Sequence, residues 1–187
     1  MAGGRHIQEG LTVMTDDVQT PEASREAGSD AAAAHDRIFL VVVDATEEMR
    51  GALRFACRRA RRTDGRVALL YVMEPADFQH WMAVEERMRD ERREEAERVL
   101  QGLAADVNAL TGKMPVLYVR EGSPSDEIVK LIEEEPKISI LVLGAGTDKK
   151  GPGPLVSSIA GKMSGGFPIP ITVVPGTLTL DQIDALS

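Results

Sequence analysis

The sequence predicts an α/β protein: a doubly wound, five-stranded parallel sheet with helices on both faces, in strand order 3-2-1-4-5. Two observations lead to this prediction. Short, continuous apolar runs, which are typical of strands buried on both faces, alternate along the chain with longer stretches of helical period. The chain has 187 residues, 43% of them apolar, which is enough for one domain with a substantial core. Such a βαβαβαβαβ order implies right-handed crossovers that cover both faces of the sheet.

The charge is unevenly spread along the chain. Residues 1–36 carry seven acids, two bases and no aromatic residue, so we expect a disordered acidic tail. Residues 37–187 are then the folded domain, and their net charge is only −3. A nearly neutral domain has no strong field to attract a polyanion, which argues against general nucleic-acid binding. Met14 is a second candidate for the start of the chain.

The first half of the domain contains two strands and two helices. "RIFLVVVD" (37–44) is the first strand, and Thr46 is placed to cap a helix that has acids in its first turn and arginines in its last. "RVALLYVMEP" (66–75) is the second strand, and Pro75 ends it. A loop and a long helix follow, with apolar residues at helical spacing: Ala96, Val99, Leu100, Leu103, Val107 and Leu110.

The second half repeats the alternation. "MPVLYVREG" (114–122) is the third strand, and Ser123 with Pro124 begins the next helix. "ISILVLG" (138–144) is the fourth strand, "GPLVSSIAGKM" (153–163) a helix, and "FPIPITVVPG" (167–176) the fifth strand. The last residues predict one more helical turn, capped by Thr179.

Two strand ends carry the candidate functional residues. In doubly wound sheets the ligand lies beyond the carboxyl ends of the strands where the strand order reverses, here between the first and the fourth strand. Asp44 ends the first and Gly144 the fourth. The stretch "LVLGAGTDKKGPGPLVSSIAGKM" (141–163) joins a strand to a helix through a glycine-rich turn, which is the arrangement that binds phosphate. Its glycine spacing fits no common phosphate loop.

The chain resembles a universal stress protein domain over residues 37–176. The resemblance is carried by "VVVDATEEM", "LLYVMEP", "VREGSPSDEIV" and the combination "ILVLGAG", "VSSIAGKM" and "PIPITVVPG". Each motif alone has little specificity, whereas their combination and order are fairly specific.

This resemblance implies an adenine-nucleotide site. In the nucleotide-binding branch of the family, a strand-one Asp contacts adenosine and a Gly-x2-Gly-x9-Gly-Ser/Thr loop wraps the phosphates. Laid on this chain without gaps, the site comprises Val42, Asp44, Val72 and Leu143 for adenosine, and Gly144, Thr147, Ser157 and Ser158 for the loop, followed by Ile159.

The loop departs from the family pattern. Thr147 and Ser157 stand where the family has glycines, which reach positive φ without steric cost. Pro152 and Pro154 also remove two backbone donors. Against this, Gly146, Gly151 and Gly153 offer flexibility, and Lys149 and Lys150 offer positive charge.

Three functions remain open at this point. The first is a cytoplasmic stress-response protein that binds ATP or another adenine nucleotide without rapid turnover. The second is a dimerisation or interaction module that has lost the nucleotide. The third is an enzyme, such as a nucleotide hydrolase or a relative of the adenylating ligases. Since no recognisable base, metal ligand or nucleophile is visible, we expect at most a slow ATPase. The resemblance also implies a homodimer through the last strand, at Ile171, Thr172, Val173 and Val174.

Several residues also have structural explanations. Asp44 is suited to accept from free backbone amides at a helix start. The arginines of the first helix are expected to form its solvated face, and Cys57, beside the apolar face, to be buried. Phe78 and Trp81 are expected to anchor a loop on the core, and Lys149 and Lys150 to lie in a solvated loop.

Overall fold

A computed structural model of the chain describes residues 37–75, 82–147, 151–162 and 165–187. The predictions for the acidic tail, for Phe78 and Trp81, and for Lys149 and Lys150 lie outside the described residues.

The five strands form one parallel sheet in the order β3-β2-β1-β4-β5, which confirms the predicted topology. The strands are β1 Ile38–Val43, β2 Arg66–Met73, β3 Val116–Glu121, β4 Ile138–Ala145 and β5 Ile171–Pro175. In the central pair, Val41 of β1 lies opposite Val142 of β4, so these two strands reach the same edge of the sheet. The fifth strand is at one end of the sheet and has β4 as its partner.

The described residues contain five helices that accompany the sheet. They are α1 Glu47–Arg62, α2 Met82–Thr111, α3 Pro124–Glu134, α4, which begins at Pro154–Val156 and continues as a π-helix over Ser157–Lys162, and α5 Leu180–Leu186. Within the described part of the chain, no helix has the length and apolarity needed to cross a lipid bilayer.

The predicted helix starts are largely confirmed. The Thr46 hydroxyl accepts from the Met49 amide at 3.4 Å, and Thr179 forms a reciprocal capping box with Gln182. Ser123 precedes α3 and Pro124 is its first residue, but the Ser123 hydroxyl makes no capping bond.

Two apolar layers hold the sheet, one on each face. The first packs α1, α2 and α5 on alternate residues of the strands, among them Val41, Leu69 and Val142. The second packs α3 and α4 on the other face, against Leu40, Leu70 and Leu141. Because successive residues of each strand point alternately into the two layers, the strands consist of continuous apolar runs.

The prediction of a wholly solvated arginine face on α1 is wrong at two positions. Arg54 donates from Nε and from a terminal guanidinium nitrogen to Asp184 of α5, both at 2.7 Å, and Arg58 binds the same carboxylate. Ile183, next to Asp184, is buried in the first apolar layer. The C-terminal helix is therefore attached to α1 by both apolar packing and charge.

Candidate functional site

A two-lobed cleft opens at the carboxyl ends of the central strands. Its larger part, which we call the loop lobe, has a volume of about 790 Å³ and lies between β4, the first turn of α1 and the segment that leads into α4. The smaller part, the strand lobe, has about 430 Å³ and lies between the ends of β1 and β2 and the starts of α3 and α4. Four residues line both lobes: Val42, Asp44, Pro154 and Leu155. The combined size suits a small-molecule ligand.

Asp44 stands where the two lobes meet. It follows β1, is exposed, and accepts through Oδ1 from the Thr46 amide at 2.9 Å and from the Thr46 hydroxyl at 2.6 Å. Since Thr46 also caps α1, one oxygen of Asp44 has the structural role anticipated from the sequence. Among the described residues Oδ2 has no hydrogen-bond partner, so it is available to a ligand in the cleft.

Gly144 is a glycine because the first turn of α1 lies directly on it. A Cβ at this position would stand 2.4 Å from the carbonyl oxygen of Glu48 and 2.6 Å from its carbonyl carbon. The φ of Gly144 is not in the left-handed region, so close approach and not backbone conformation explains the residue. Asp44 and Gly144 both line the loop lobe, as the strand order predicted.

In the described part of the glycine-rich turn, positive φ falls at other positions than the glycines of the family pattern. The left-handed positions are Gly151 and Gly153, with φ of 95° and 97°, whereas Thr147 is not at positive φ. The Gly146 amide donates to the Pro152 carbonyl at 3.1 Å, which brings the two sides of the turn together. Thr147 is therefore accommodated without the strain expected from its position in the pattern.

The two serine hydroxyls of α4 face different lobes. Ser157 is exposed and lines the loop lobe, and its backbone is already helical, with φ −63°. Ser158 lines the strand lobe, where its hydroxyl accepts from that of Ser125 at 3.1 Å. The π-helical turn that begins at Ser157 is a form often found at functional sites.

Apolar side chains form the remainder of the candidate adenosine site. Val42 and Val72 are half-buried and line the strand lobe, and the buried Leu143 lines the loop lobe. Ile159 is fully buried in the second apolar layer and lines neither lobe. Eight of the nine candidate residues thus border the cleft, and Ile159 supports it from the core.

The cleft is acidic in its described part. Asp44, Glu47 and Glu48 line the loop lobe, Glu74 lines the strand lobe, and no lysine, arginine or histidine of the described residues lines either. The same residues include no group of three or more histidine, cysteine, aspartate or glutamate side chains placed to hold a metal ion.

Several residues that line the cleft were not predicted from the sequence to belong to the site. Thr46, Glu47 and Glu48 lie in the loop lobe because α1 begins immediately after Asp44. Ser125 lies in the strand lobe because α3 begins at the same edge of the sheet. In both cases the available signal was a helix start that directly follows a strand end.

Comparisons with known proteins find one family and several solved structures of the same fold. The model of the Universal stress protein family matches residues 36–175. A search of curated proteins finds no match. Among solved structures, the universal stress protein UspA from Lactobacillus plantarum is 20% identical, with a TM-score of 0.62 over 74% of this chain and 97% of that one.

Two further matches are solved with an adenine nucleotide. The universal stress protein from Archaeoglobus fulgidus in complex with dAMP is 18% identical, with a TM-score of 0.52 over 73% of this chain and 95% of that one. A universal stress protein family protein from Arabidopsis thaliana with AMP bound is 14% identical, with a TM-score of 0.52 over 74% of this chain and 91% of that one. At this identity the likeness shows the fold alone.

Proposed function

The chain belongs to the universal stress protein family, and from this premise we propose that it is a stress-response protein that binds an adenine nucleotide in the two-lobed cleft without rapid turnover. The observation that carries the proposal is that Asp44 and Gly144, a hundred residues apart in sequence, line one cleft of nucleotide size at the reversal point of the sheet. The relatives with AMP and dAMP support the choice of ligand.

Each part of the cleft suits one part of the ligand. The half-buried Val42 and Val72 offer apolar surface for a base or sugar, and Oδ2 of Asp44 is an acceptor for a donor of the nucleoside. The exposed Ser157 hydroxyl offers a donor for a phosphate. We infer binding without rapid turnover because, in the described part of the cleft, the hydroxyl that bonds to a carboxylate is that of Thr46, which also caps α1.

Calorimetry with an isosteric variant tests this assignment. Asp44→Asn retains an oxygen to accept from Thr46 but removes the charge and the second acceptor. We expect it to weaken adenosine and AMP binding about tenfold or more, since hydrogen bonds to charged groups contribute about 1.5–3 kcal/mol. The melting temperature should stay close to that of the unchanged protein. Asp106→Asn, an exposed position on α2, is the matched control and should leave the affinity unchanged.

The bonds between Asp44 and Thr46 favour the alternative, a dimerisation or interaction module without nucleotide, because they give one oxygen of Asp44 a structural role that needs no ligand. Mass spectrometry of the denatured protein separates the two functions. A stoichiometric adenine nucleotide supports the first function. A blank, together with no heat on addition of adenosine, AMP or ATP, contradicts it and supports the alternative.

Under either function we propose a homodimer through β5 and a cytoplasmic location. The strand is at the edge of the sheet, where its outer backbone groups are available to a second strand. Val174 is buried in the first apolar layer, while Ile171, Thr172 and Val173 are half-buried.

A further inference from the structure

We propose that the cleft selects adenine ligands with no more than one phosphate and disfavours the triphosphate, and that Glu47 and Glu48 set this selectivity. The inference rests on the proposed function, since it concerns the ligand of the same cleft. We infer it from two features of the loop lobe, where the phosphates of a nucleotide would lie: its acidic side chains, and backbone amides that already donate hydrogen bonds within the chain.

Glu48 is fixed beside the path of the phosphates. Its backbone carbonyl lies against Gly144, and its Cγ lies 2.6 Å from where a Cβ of Gly176 would be. Its carboxylate oxygen Oε1 lies 3.5 Å from the corresponding position at Gly146. Gly144 therefore makes room for the backbone of Glu48 and Gly176 for its side chain, so packing holds Glu48 at the lobe.

Glu47 and Asp44 add to the negative charge of the lobe. All three carboxylates line it, and among the described residues none of the three has a cationic partner. Each additional phosphate of a ligand would enter a lobe that already carries three acidic side chains. Repulsion between like charges this close weakens binding, and screening by salt reduces the effect.

The turn also offers few backbone donors to compensate for this repulsion. Pro152 and Pro154 have no amide hydrogen. The amides of Gly146 and Ser157 donate within the chain, to the carbonyls of Pro152 and Gly153 at 3.1 and 3.0 Å. At four positions of the described turn, the backbone therefore has no free N–H group to donate to a phosphate. A triphosphate wrapped by the turn would require many such donors.

The experiment is a calorimetric series with adenosine, AMP, ADP and ATP. EDTA is present so that no divalent cation neutralises the phosphates, and the series is run at low and at moderate salt. We expect AMP to bind at least tenfold more tightly than ATP at low salt, ADP to lie between them, and the ratio to shrink at moderate salt.

Charge-neutralising variants assign the selectivity to named residues. The double variant Glu47→Gln, Glu48→Gln keeps side-chain size and should reduce the AMP-to-ATP ratio at least threefold, mostly by improving ATP binding. The matched control is Glu94→Gln, Glu133→Gln, which changes the net charge equally at exposed positions on α2 and α3. It should leave the ratio unchanged.

Three results would overturn the inference. Equal affinity for AMP and ATP in EDTA is the first, because it would mean that other groups, such as Lys149 and Lys150, neutralise the lobe. A ratio that responds equally to both double variants would show a global charge effect instead of a local one. Absence of binding by every ligand would overturn the proposed function as well, so the two failures are distinguishable.

Discussion

Gly144 of β4 lies so close to the backbone of Glu48 in α1 that a Cβ there would stand 2.4 Å from the Glu48 carbonyl oxygen. This contact fixes the distance between the first turn of α1 and the end of β4, which form two walls of the loop lobe. A side chain at Gly144 therefore changes both the stability of the domain and the shape of the cleft.

Gly144→Ala should destabilise the protein by about 2–3 kcal/mol, because two backbone segments must separate to admit the methyl group. The measurement is urea unfolding followed by circular dichroism. Gly102→Ala is the matched control, since Gly102 lies exposed inside α2 with nothing within 4 Å of the added Cβ. This variant should gain about 0.5–1 kcal/mol from better helix propensity. Equal effects of the two substitutions would contradict the packing argument.

Asp184→Asn should lower the melting temperature at pH 7. Hydrogen bonds from Arg54 and Arg58 hold the pKa of the Asp184 carboxyl well below its usual range. A lowered pKa in the folded state contributes stability above the ordinary carboxyl pKa of about 3.9, and this contribution is lost as the pH falls below that value.

The difference between Asp184→Asn and the unchanged protein should therefore be largest at neutral pH and shrink below about pH 4. Thermal unfolding at several pH values measures it, with Asp106→Asn as the variant expected to show little difference at any pH. A difference that stays constant from pH 7 to pH 2 would indicate that the charge of Asp184 has no part in its effect.

Cys57 should be unreactive in the folded protein. Burial raises the pKa of its thiol to about 12, so at pH 8 only about one molecule in 10⁴ carries the thiolate that reacts. We expect Ellman's reagent to label one thiol per chain rapidly in guanidinium and only very slowly without it. An added exposed cysteine, Ala105→Cys on α2, is the control and should react at once in the folded state. Rapid native labelling of Cys57 would show that the first apolar layer opens readily.

Thr172→Lys should shift the proposed homodimer toward monomer. Thr172 is half-buried on the edge strand, where a lysine can extend its charged end into solvent, so the substitution should cost little stability. A lysine on an edge strand opposes pairing with a second strand. Sedimentation velocity at micromolar concentration measures the shift, and Thr172→Ser is the control that should leave it unchanged. A dimer that is unaffected by the lysine would place the interface elsewhere.

The alternation of strands and helices, and the placement of Asp44 and Gly144 at one cleft, could be predicted from the sequence because the signals for them are local. Apolar runs and helix starts identify the elements, and parallel crossovers then bring their carboxyl ends to one edge. The cap at Thr46 and the burial of Cys57 were predictable for the same reason, since each depends on its neighbours along one helix.

Two features could not be predicted in this way: the Arg54–Asp184 ion pair, and the physical reason for a glycine at position 144. The pair joins residues 130 positions apart, and its formation depends on how α5 docks on α1, which no local period encodes. Gly144 matched a phosphate-loop pattern, but a glycine is required there because the Glu48 backbone leaves no space for a side chain. The positive φ of Gly151 and Gly153 was likewise not indicated by the family pattern, which has its glycines at other positions.

The family-matched segment ends at residue 175, before α5 begins. Anyone who trims the protein to that boundary would discard Ile183 and Asp184, expose apolar surface on α1 and leave Arg54 and Arg58 without their shared carboxylate. Such a shortened version should be prone to aggregation, so studies of this protein in solution need its last twelve residues.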